Sequence, residues 1–180
     1  MLRSHNTIIS SKMNWLGELC QKYINLDDTV LDIGCGIHHT VEGLQFKSYL
    51  GCDVWMKYLD VTKQKQNVVR IDATKDLDRF PDKSYDVVLC LDVLEHVTLG
   101  DAEKILEHLK RICRKYTIIF TPSEFTENES AVENAWDLGR CDYQRHRCLL
   151  TMEILKGHGF KVSTDNGDWA YFGVYNGNGF

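Results

Sequence analysis

The order of apolar and polar positions along the chain predicts short strands that alternate with helices. Short apolar runs that end at turn-forming or acidic residues predict strands at 29–34, 48–55, 67–73, 85–91, 117–121, 160–165 and 170–175. Apolar residues at helical spacing predict helices over 11–24, 39–46 and 101–114, and a short one over 152–159. The two prolines, Pro81 and Pro122, both fall at predicted element boundaries.

Strands that alternate with helices pair in parallel through right-handed crossovers, so the predicted fold is a doubly wound α/β sheet. No helix is predicted between the last two strands, which indicates an antiparallel pair at one edge. A length of 180 residues corresponds to a single domain over 1–180. Ligands of such sheets bind beyond the carboxyl ends of the strands.

The composition of the chain limits the kinds of molecule and the surroundings that we expect for it. The chain has 21 basic and 26 acidic residues, and the net charge of −5 disfavours a general electrostatic grip on nucleic acid. No apolar run approaches the roughly 20 residues of a membrane span, and the N-terminus lacks the apolar stretch of a signal peptide. The seven cysteines form no C-x-x-C pair. We expect reduced thiols in a cytoplasmic protein that associates with no membrane and is a monomer or homodimer.

The first predicted strand ends in Asp32-Ile33-Gly34-Cys35-Gly36, where two glycines allow a sharp turn and a close approach to a ligand. The third glycine of a dinucleotide-binding loop is replaced by His39, which argues against NAD.

Acidic residues end successive strands. Asp53 could accept hydrogen bonds from both hydroxyls of a ribose, Asp72 could meet an adenine amino group, and Asp32 would suit a cationic group. These positions together predict a nucleoside ligand. The alternative is that the aspartates only cap strand ends and form turns.

The segments VLDIGCG, GCDVW, IDA and FPDKSYDVVLCLDVLEHV resemble, in this order, the successive motifs of class I S-adenosylmethionine-dependent methyltransferases. The resemblance covers about residues 28–121, which would form the donor-binding core. It implies a Rossmann-like, mostly parallel seven-stranded sheet with helices on both faces, an antiparallel terminal strand, and S-adenosylmethionine as cofactor.

The resemblance also implies a set of cofactor-binding residues. The glycine loop would pass the methionine part, the end of the second strand would hold the ribose, and the next two strand ends would border the adenine and the reacting sulfonium. In chain order, these residues are Asp32, Gly34, Cys35, Gly36, Asp53, Val54, Asp72, Ala73, Leu91 and Asp92.

Asp92, Glu95 and His96 lie at spacings that would bring all three to one side of a helical turn. Two carboxylates and an imidazole suit a divalent metal ion, which could activate a hydroxyl group. The segment resembles the E-x-x-E-H metal motif of ubiquinone-pathway O-methyltransferases and of small-RNA 2′-O-methyltransferases, with Asp92 in place of the first glutamate. QRHRCLLTMEIL resembles a further segment of the RNA enzymes, which makes His146 a fourth candidate ligand.

Two alternatives to a metal site remain. Without a metal ion, His96 or His146 could act as a general base beside Glu95. Alternatively, Glu95 and His96 could simply start a helix, and His146 could pair with an acidic neighbour.

The resemblance implies that residues 122–150 bind the acceptor, since the family varies its substrate-binding parts at this place. A loop of this length in a compact domain is usually functional or disordered, and the alternative for its acidic part is a solvated surface loop. Acidic residues in its first part are followed by Arg140, Arg145 and Arg147, which could bind a carboxylate or phosphate. Trp136 and Tyr143 could form walls of an acceptor pocket, whereas Trp15, Trp55 and Trp169 are expected in the core or at the rim.

The sequence therefore predicts a methyltransferase that acts on a small-molecule acceptor, at oxygen if the cluster of Glu95, His96 and His146 forms. The acceptor could be anionic. An RNA 2′-O-methyltransferase is one alternative, and a catalytically silent S-adenosylmethionine-binding partner subunit is another.

Overall fold

The computed structural model describes residues 13–63, 66–164 and 168–179. Its seven strands form one sheet in the order β3-β2-β1-β4-β5-β7-β6. The strands are β1 (Thr29–Ile33), β2 (Ser48–Asp53), β3 (Val68–Arg70), β4 (Tyr85–Leu91), β5 (Cys113–Pro122), β6 (Lys161–Ser163) and β7 (Ala170–Asn176).

The direction of the strands confirms the predicted class of sheet. Strands β1 to β5 run parallel, and β7 is antiparallel to both of its neighbours, β5 and β6. The chain builds outwards from β1 to β3 and then returns to the other side of β1 with β4. This reversal opens a crevice between β1 and β4, which is where ligands of doubly wound sheets bind.

Helices pack on both faces of the sheet, as predicted. They are α1 (Trp15–Gln21), α2 (Met56–Thr62), α3 (Leu99–Ile112), α4 (Glu129–Glu133) and α5 (Met152–Gly157). Buried residues of α1 share one core with Val30 of β1, and those of α3 and α5 share another core with Leu31 and Ile33. Because both faces are covered, β1 and β4 are near-continuous apolar runs rather than alternating ones.

The predicted helix over 39–46 is wrong, because this segment consists of turns. His38 and Gly43 have positive φ angles of 69° and 93°, which are incompatible with a continuous right-handed helix. The segment bonds to α1 instead, where the backbone N–H of Gln45 donates to Oε1 of Gln21 at 2.7 Å. Buried Val41 and Leu44 anchor the segment on the sheet.

The ends of the other predicted helices shift by a few residues. Helix α1 begins after Asn14, whose side chain accepts a hydrogen bond from Gly17, while predicted positions 11 and 12 lie outside the described residues. Helix α3 begins after Thr98, which caps it by accepting from Asp101. Helices α2 and α4 were not predicted. In the described part of the chain, no helix combines the length and the apolar character needed to cross a membrane.

Candidate functional site

A cleft of about 700 Å³ opens at the carboxyl ends of the parallel strands. All five parallel strands contribute to it, either with their last residues or with the residues directly after them. The predicted cofactor-binding residues Asp32, Gly34, Cys35, Gly36, Asp53, Val54, Asp72, Ala73, Leu91 and Asp92 all line this cleft. The structure thus brings the predicted set together.

The two glycines after β1 face different surroundings. Gly34 has a φ of 75°, and a Cβ atom at this position would lie 2.2 Å from Cγ2 of Val93. Gly36 has a φ of 52°, and its added Cβ would have no neighbour within 4 Å. Gly34 therefore allows close packing against the segment after β4, whereas Gly36 presents bare backbone to open space.

The Asp53 carboxylate is buried at the end of β2 and is tied to the glycine loop. Its two oxygens accept hydrogen bonds from the backbone N–H groups of Gly36 at 3.0 Å and Trp55 at 2.8 Å. Burial raises the pKa of Asp53, although these bonds oppose the shift. Each carboxylate oxygen can accept a further bond, so Asp53 can still bind hydroxyl groups in the cleft.

Asp32 ends a buried hydrogen-bond chain. The hydroxyl group of Tyr49 donates to Asp32 at 2.8 Å, and Nδ1 of His38 lies 3.3 Å from the same hydroxyl oxygen. Because the single phenolic proton is given to Asp32, the His38 ring must donate to Tyr49. Burial raises the pKa of Asp32 to about 7, so this carboxyl is poised to ionise when a cation arrives.

Asp72 has a structural role that the sequence also allowed. One of its oxygens accepts from the backbone N–H and the hydroxyl of Thr74, and the other forms an ion pair with Lys75 at 2.7 Å. The ion pair and the turn bonds lower the pKa of Asp72 against a desolvation effect that would raise it. Asp72 thus forms the turn beyond β3, and its contact with adenine stays a prediction.

The segment after β4 contains the candidate chemistry. Asp92 has a positive φ of 54° and its backbone N–H donates to Phe120 of β5 at 2.9 Å. Its side chain reaches solvent in the cleft, but the surrounding walls remove enough water to raise its pKa to about 6. A short 3-10 turn over Leu94–His96 follows.

Glu95 and His96 point inward from this turn. Glu95 is 3% exposed and accepts a hydrogen bond at 3.0 Å from the hydroxyl of Thr121 at the end of β5. Burial, together with the nearby Asp92, raises the pKa of Glu95 to about 8. Burial and the neighbouring His146 lower the pKa of His96 to about 4. The buried Nδ1 of His96 makes no hydrogen bond within the described part of the chain.

His146 reaches the same place from the distant segment that follows β5. Its Nδ1 lies 2.7 Å from the carbonyl oxygen of Thr126, so Nδ1 donates to this oxygen and, in the neutral ring, Nε2 is the acceptor. The backbone is fixed as well, because the N–H of Arg147 donates to the carbonyl of Glu95 at 2.7 Å. The bond between Arg147 and Glu95 joins the two segments, whereas the bond between His146 and Thr126 lies within the segment that follows β5.

Glu95, His96 and His146 each offer one ligand atom, and these atoms lie within 4.8 Å of one another. One carboxylate and two imidazoles form a donor set that suits zinc, iron or manganese. Asp92, the fourth predicted ligand, is not part of this group. Glu95 and His96 lie in the 3-10 turn directly before the cap of α3 and do not belong to that helix.

The segment after β5 lies over the cleft. Trp136 and Tyr143 line the cleft and are 54% and 48% exposed, as expected for walls of an acceptor pocket. Nζ of Lys57, at the start of α2, donates to the carbonyl of Leu138 at 2.9 Å and holds the segment across the cleft. Trp15 and Trp169 are also half-exposed and pack edge to face, in agreement with the predicted rim position.

Sequence reasoning assigned no role to two polar residues of the site. Tyr58 of α2 lines the cleft, and its buried hydroxyl has no hydrogen-bond partner among the described residues. Thr121 orients Glu95. Its place at the end of a predicted strand was a usable signal, whereas nothing in the sequence distinguishes Tyr58 from a core tyrosine.

A known protein family matches the central part of this chain. Residues 31–121 match the family described as "Methyltransferase domain". Among curated proteins, no sequence matches this chain.

Several solved structures have the same fold. The PH0226 protein of Pyrococcus horikoshii is 17% identical, with a TM-score of 0.67 over 89% of this chain and 87% of that chain. A SAM-dependent methyltransferase from Archaeoglobus fulgidus is 20% identical, with a TM-score of 0.63 over 89% and 94% of the two chains. The magnesium protoporphyrin IX methyltransferase of Synechocystis, with bound SAH, is 20% identical, with a TM-score of 0.59 over 89% and 79%.

The match covers half of the chain, and it spans the glycine loop, the acidic strand ends and the segment after β4 that together line the cleft. This chain therefore belongs to the methyltransferase domain family, the class I S-adenosylmethionine-dependent methyltransferases that its motifs resemble.

Proposed function

We propose that the protein transfers a methyl group from S-adenosylmethionine to a hydroxyl oxygen of a small-molecule acceptor. The observation that carries this proposal is the convergence of Glu95, His96 and His146 in the same cleft as the glycine loop and Asp53. A hydroxyl group needs a partner for its proton, and this cluster supplies groups of that kind.

The donor-binding part of the cleft fits a charged nucleoside. Asp53 can accept the ribose hydroxyls, the bare backbone at Gly36 admits the chain of the methionine part, and the Asp32 carboxyl suits its ammonium group. Asp92 and Leu91 would lie beside the sulfonium. The donor is already activated, so the protein contributes mainly alignment of the two reactants.

In the reaction, the acceptor oxygen attacks the methyl carbon and the carbon–sulfur bond breaks. The bonding electrons stay on sulfur, which gives neutral S-adenosylhomocysteine. The hydroxyl proton passes to the cluster. His146 is placed to receive it, because its Nδ1 proton is held by Thr126 and its Nε2 is left as an acceptor.

A divalent ion fits the cluster as an alternative to a histidine base, because Nε2 of His146 cannot bind a metal ion and accept a proton at the same time. Glu95, His96 and His146 would hold it, and the Nδ1–H bond from His146 to Thr126 is the kind of outer contact that orients a ligating imidazole. Such an ion, when bound, would lower the pKa of the acceptor hydroxyl. Burial favours the uncharged forms of Glu95 and His96, because it raises the pKa of the first and lowers the pKa of the second. A bound cation would favour the ionised carboxylate of Glu95.

We expect a small acceptor rather than RNA. Binding to RNA requires several cationic side chains that contact phosphates. Among the described residues that line the cleft, Lys75 is already paired with Asp72, and Arg147 alone adds a permanent positive charge without a carboxylate partner. We also propose a cytoplasmic location, because all seven cysteines are free thiols and six of them are buried.

The donor site is tested by calorimetric titration with S-adenosylhomocysteine. The wild-type protein should bind it, and Asp53→Ala should abolish binding while the protein stays folded by circular dichroism. A folded wild-type protein that does not bind S-adenosylhomocysteine would contradict the donor site.

Acceptor chemistry is tested with a labelled-methyl screen over phenols, sugars, carboxylic acids and short RNAs. Label should appear in an ether or ester of a small acceptor, and His146→Gln should lower kcat by about a hundredfold or more. Label in RNA alone would favour the RNA enzyme. Donor binding with no transfer to any class would favour the silent partner subunit.

The metal proposal has a readout that does not depend on activity. Equilibrium dialysis against zinc and manganese, followed by elemental analysis, should give about one ion per chain. Glu95→Gln should lose it, and Glu153→Gln, an exposed control on α5, should keep it. Equal metal content in the wild type and Glu95→Gln would exclude this ligand set.

A further inference from the structure

The segment over the cleft contains three arginines, Arg140, Arg145 and Arg147. They differ in whether they form ion pairs with carboxylates. Arg140 pairs with Glu133 and with Asp142, the latter at 2.8 Å, and Arg145 pairs with Glu129 at 2.6 Å. These two arginines therefore neutralise acidic residues of their own segment and stabilise its fold. They have little capacity left for a ligand.

Arg147 differs from both. It is exposed, it lines the cleft, and no carboxylate lies within ion-pair distance of it in the described ranges 13–63, 66–164 and 168–179. Its backbone N–H is bonded to the carbonyl of Glu95 at 2.7 Å, which fixes the residue beside the cluster. Its charge is felt there, because Arg147 contributes to the lowered pKa of His96.

An unpaired guanidinium beside a reaction centre has a defined chemical preference. It presents a planar fork of N–H donors that matches the paired oxygens of a carboxylate or phosphate. The half-exposed rings of Trp136 and Tyr143 line the same cleft and offer flat apolar walls to an organic body. A ligand that satisfies both features is a small organic acid.

We propose that the acceptor is an anionic small molecule whose carboxylate or phosphate group binds Arg147 while its hydroxyl group faces Glu95, His96 and His146. This inference rests on the proposed function, because it assigns the acceptor of the same site. Arg147 is then the residue that determines acceptor specificity. The neutral end of the acceptor would lie against the aromatic walls.

The proposal is tested by binding of matched probes to the protein saturated with S-adenosylhomocysteine. Fluorine NMR compares 4-fluorobenzoate with 4-fluorobenzamide, which have nearly the same shape but differ in charge, and 4-fluorophenyl phosphate distinguishes a phosphate from a carboxylate. The wild type should bind at least one anion about tenfold or more tightly than the amide. Arg147→Gln should remove this preference and leave binding of S-adenosylhomocysteine unchanged.

Arg140→Gln is the matched control, since it removes a charge from the same segment but from an arginine that has carboxylate partners. It should keep the anion preference. Any one of three results overturns the proposal. These are equal binding of anion and amide in the wild type, absence of anion binding, and an anion preference that survives in Arg147→Gln. Loss of S-adenosylhomocysteine binding in the wild type would instead contradict the donor site, so the two failures are distinguishable.

Discussion

We expect substitution of either glycine of the loop after β1 to be harmful, for different physical reasons. Gly34→Ala adds a Cβ that clashes with Val93 and has a left-handed φ, whereas Gly36→Ala meets only the second difficulty. We expect Gly34→Ala to lower the free energy of unfolding by about 2–4 kcal/mol and Gly36→Ala by about 1 kcal/mol. Urea denaturation measures both values.

For Gly36→Ala, we expect the effect on donor binding to be larger than the effect on stability. Its added methyl would occupy open space in the cleft, so Gly36→Ala should bind S-adenosylhomocysteine more weakly even though it is nearly as stable as the wild type. If Gly36→Ala binds as tightly as the wild type, the loop does not approach the donor as closely as we infer.

We expect the proposed contact between Asp32 and the ammonium group of the donor to make donor binding depend on pH. The Asp32 pKa of about 7 means that the carboxyl is mostly protonated at pH 6 in the free protein. The groups that face it are the Tyr49 hydroxyl, Asp53 and buried thiols, and burial keeps the tyrosine and the thiols neutral by raising their pKa values. A bound ammonium group favours the ionised form, so binding must release a proton, and affinity must fall as the pH drops below 7.

Calorimetry at pH 6 in two buffers of different ionisation enthalpy measures this proton release directly. Close to one proton should leave per S-adenosylhomocysteine bound, and affinity should fall by about tenfold per pH unit well below pH 7. Asp32→Asn should bind without proton release. Buffer-independent binding enthalpy in the wild type would show that Asp32 is already ionised or lies away from the ligand.

At the scale of secondary-structure elements, α2 and the glycine loop are joined by one buried hydroxyl group. Oγ1 of Thr62 donates towards the carbonyl oxygens of Gly36 and Tyr58, each at 3.0 Å. Thr62→Val keeps the shape of the side chain but leaves the Gly36 carbonyl without this donor. We expect a loss of about 1–3 kcal/mol in stability and weaker donor binding.

Thr62→Ser is the matched control, because it keeps the hydroxyl group and removes only a methyl. It should bind S-adenosylhomocysteine more tightly than Thr62→Val does. Both properties are measured by urea denaturation and calorimetry. If the serine variant binds more weakly than the valine variant, packing of the methyl group rather than the hydrogen bond holds α2 against the loop.

The elements that the sequence predicted well are those whose burial leaves a pattern in their own residues, and the others depend on contacts with distant segments. Strand β4 spans the predicted residues 85–91, since a run buried on both faces must be continuously apolar. The helix expected over 39–46 failed because its positive φ angles and its bonds to α1 depend on tertiary contacts. Helix α2 was missed for the related reason that only three of its seven residues are buried.

The same distinction holds for the site. Residues at strand ends could be predicted, because parallel strands of a doubly wound sheet bring their carboxyl ends to one edge. The pairing of Arg140 and Arg145 with acidic neighbours could not be predicted, and neither could the contact of His146 with Thr126. Both depend on the path of residues 123–150, which no periodicity in the sequence determines.

For the whole molecule, the donor would bridge the point where the sheet reverses. Its proposed contacts come from the ends of β1, β2 and β3 on one side and of β4 on the other, so a bound ligand stabilises only the assembled sheet. Free S-adenosylhomocysteine at a hundred times its Kd should add about 2.7 kcal/mol to the free energy of unfolding. In a domain of 180 residues, this corresponds to a rise in Tm of about 5–10 °C.

Thermal denaturation over a series of S-adenosylhomocysteine concentrations measures this effect, and Tm should rise with the logarithm of the concentration. Asp53→Ala should show no rise, because it removes the carboxylate that binds the glycine loop and that we assign to the ribose hydroxyls. Glu95→Gln should keep the rise, since Glu95 is assigned to the acceptor and not to the donor. A rise that disappears in Glu95→Gln but persists in Asp53→Ala would reverse the assignment of the two ends of the cleft.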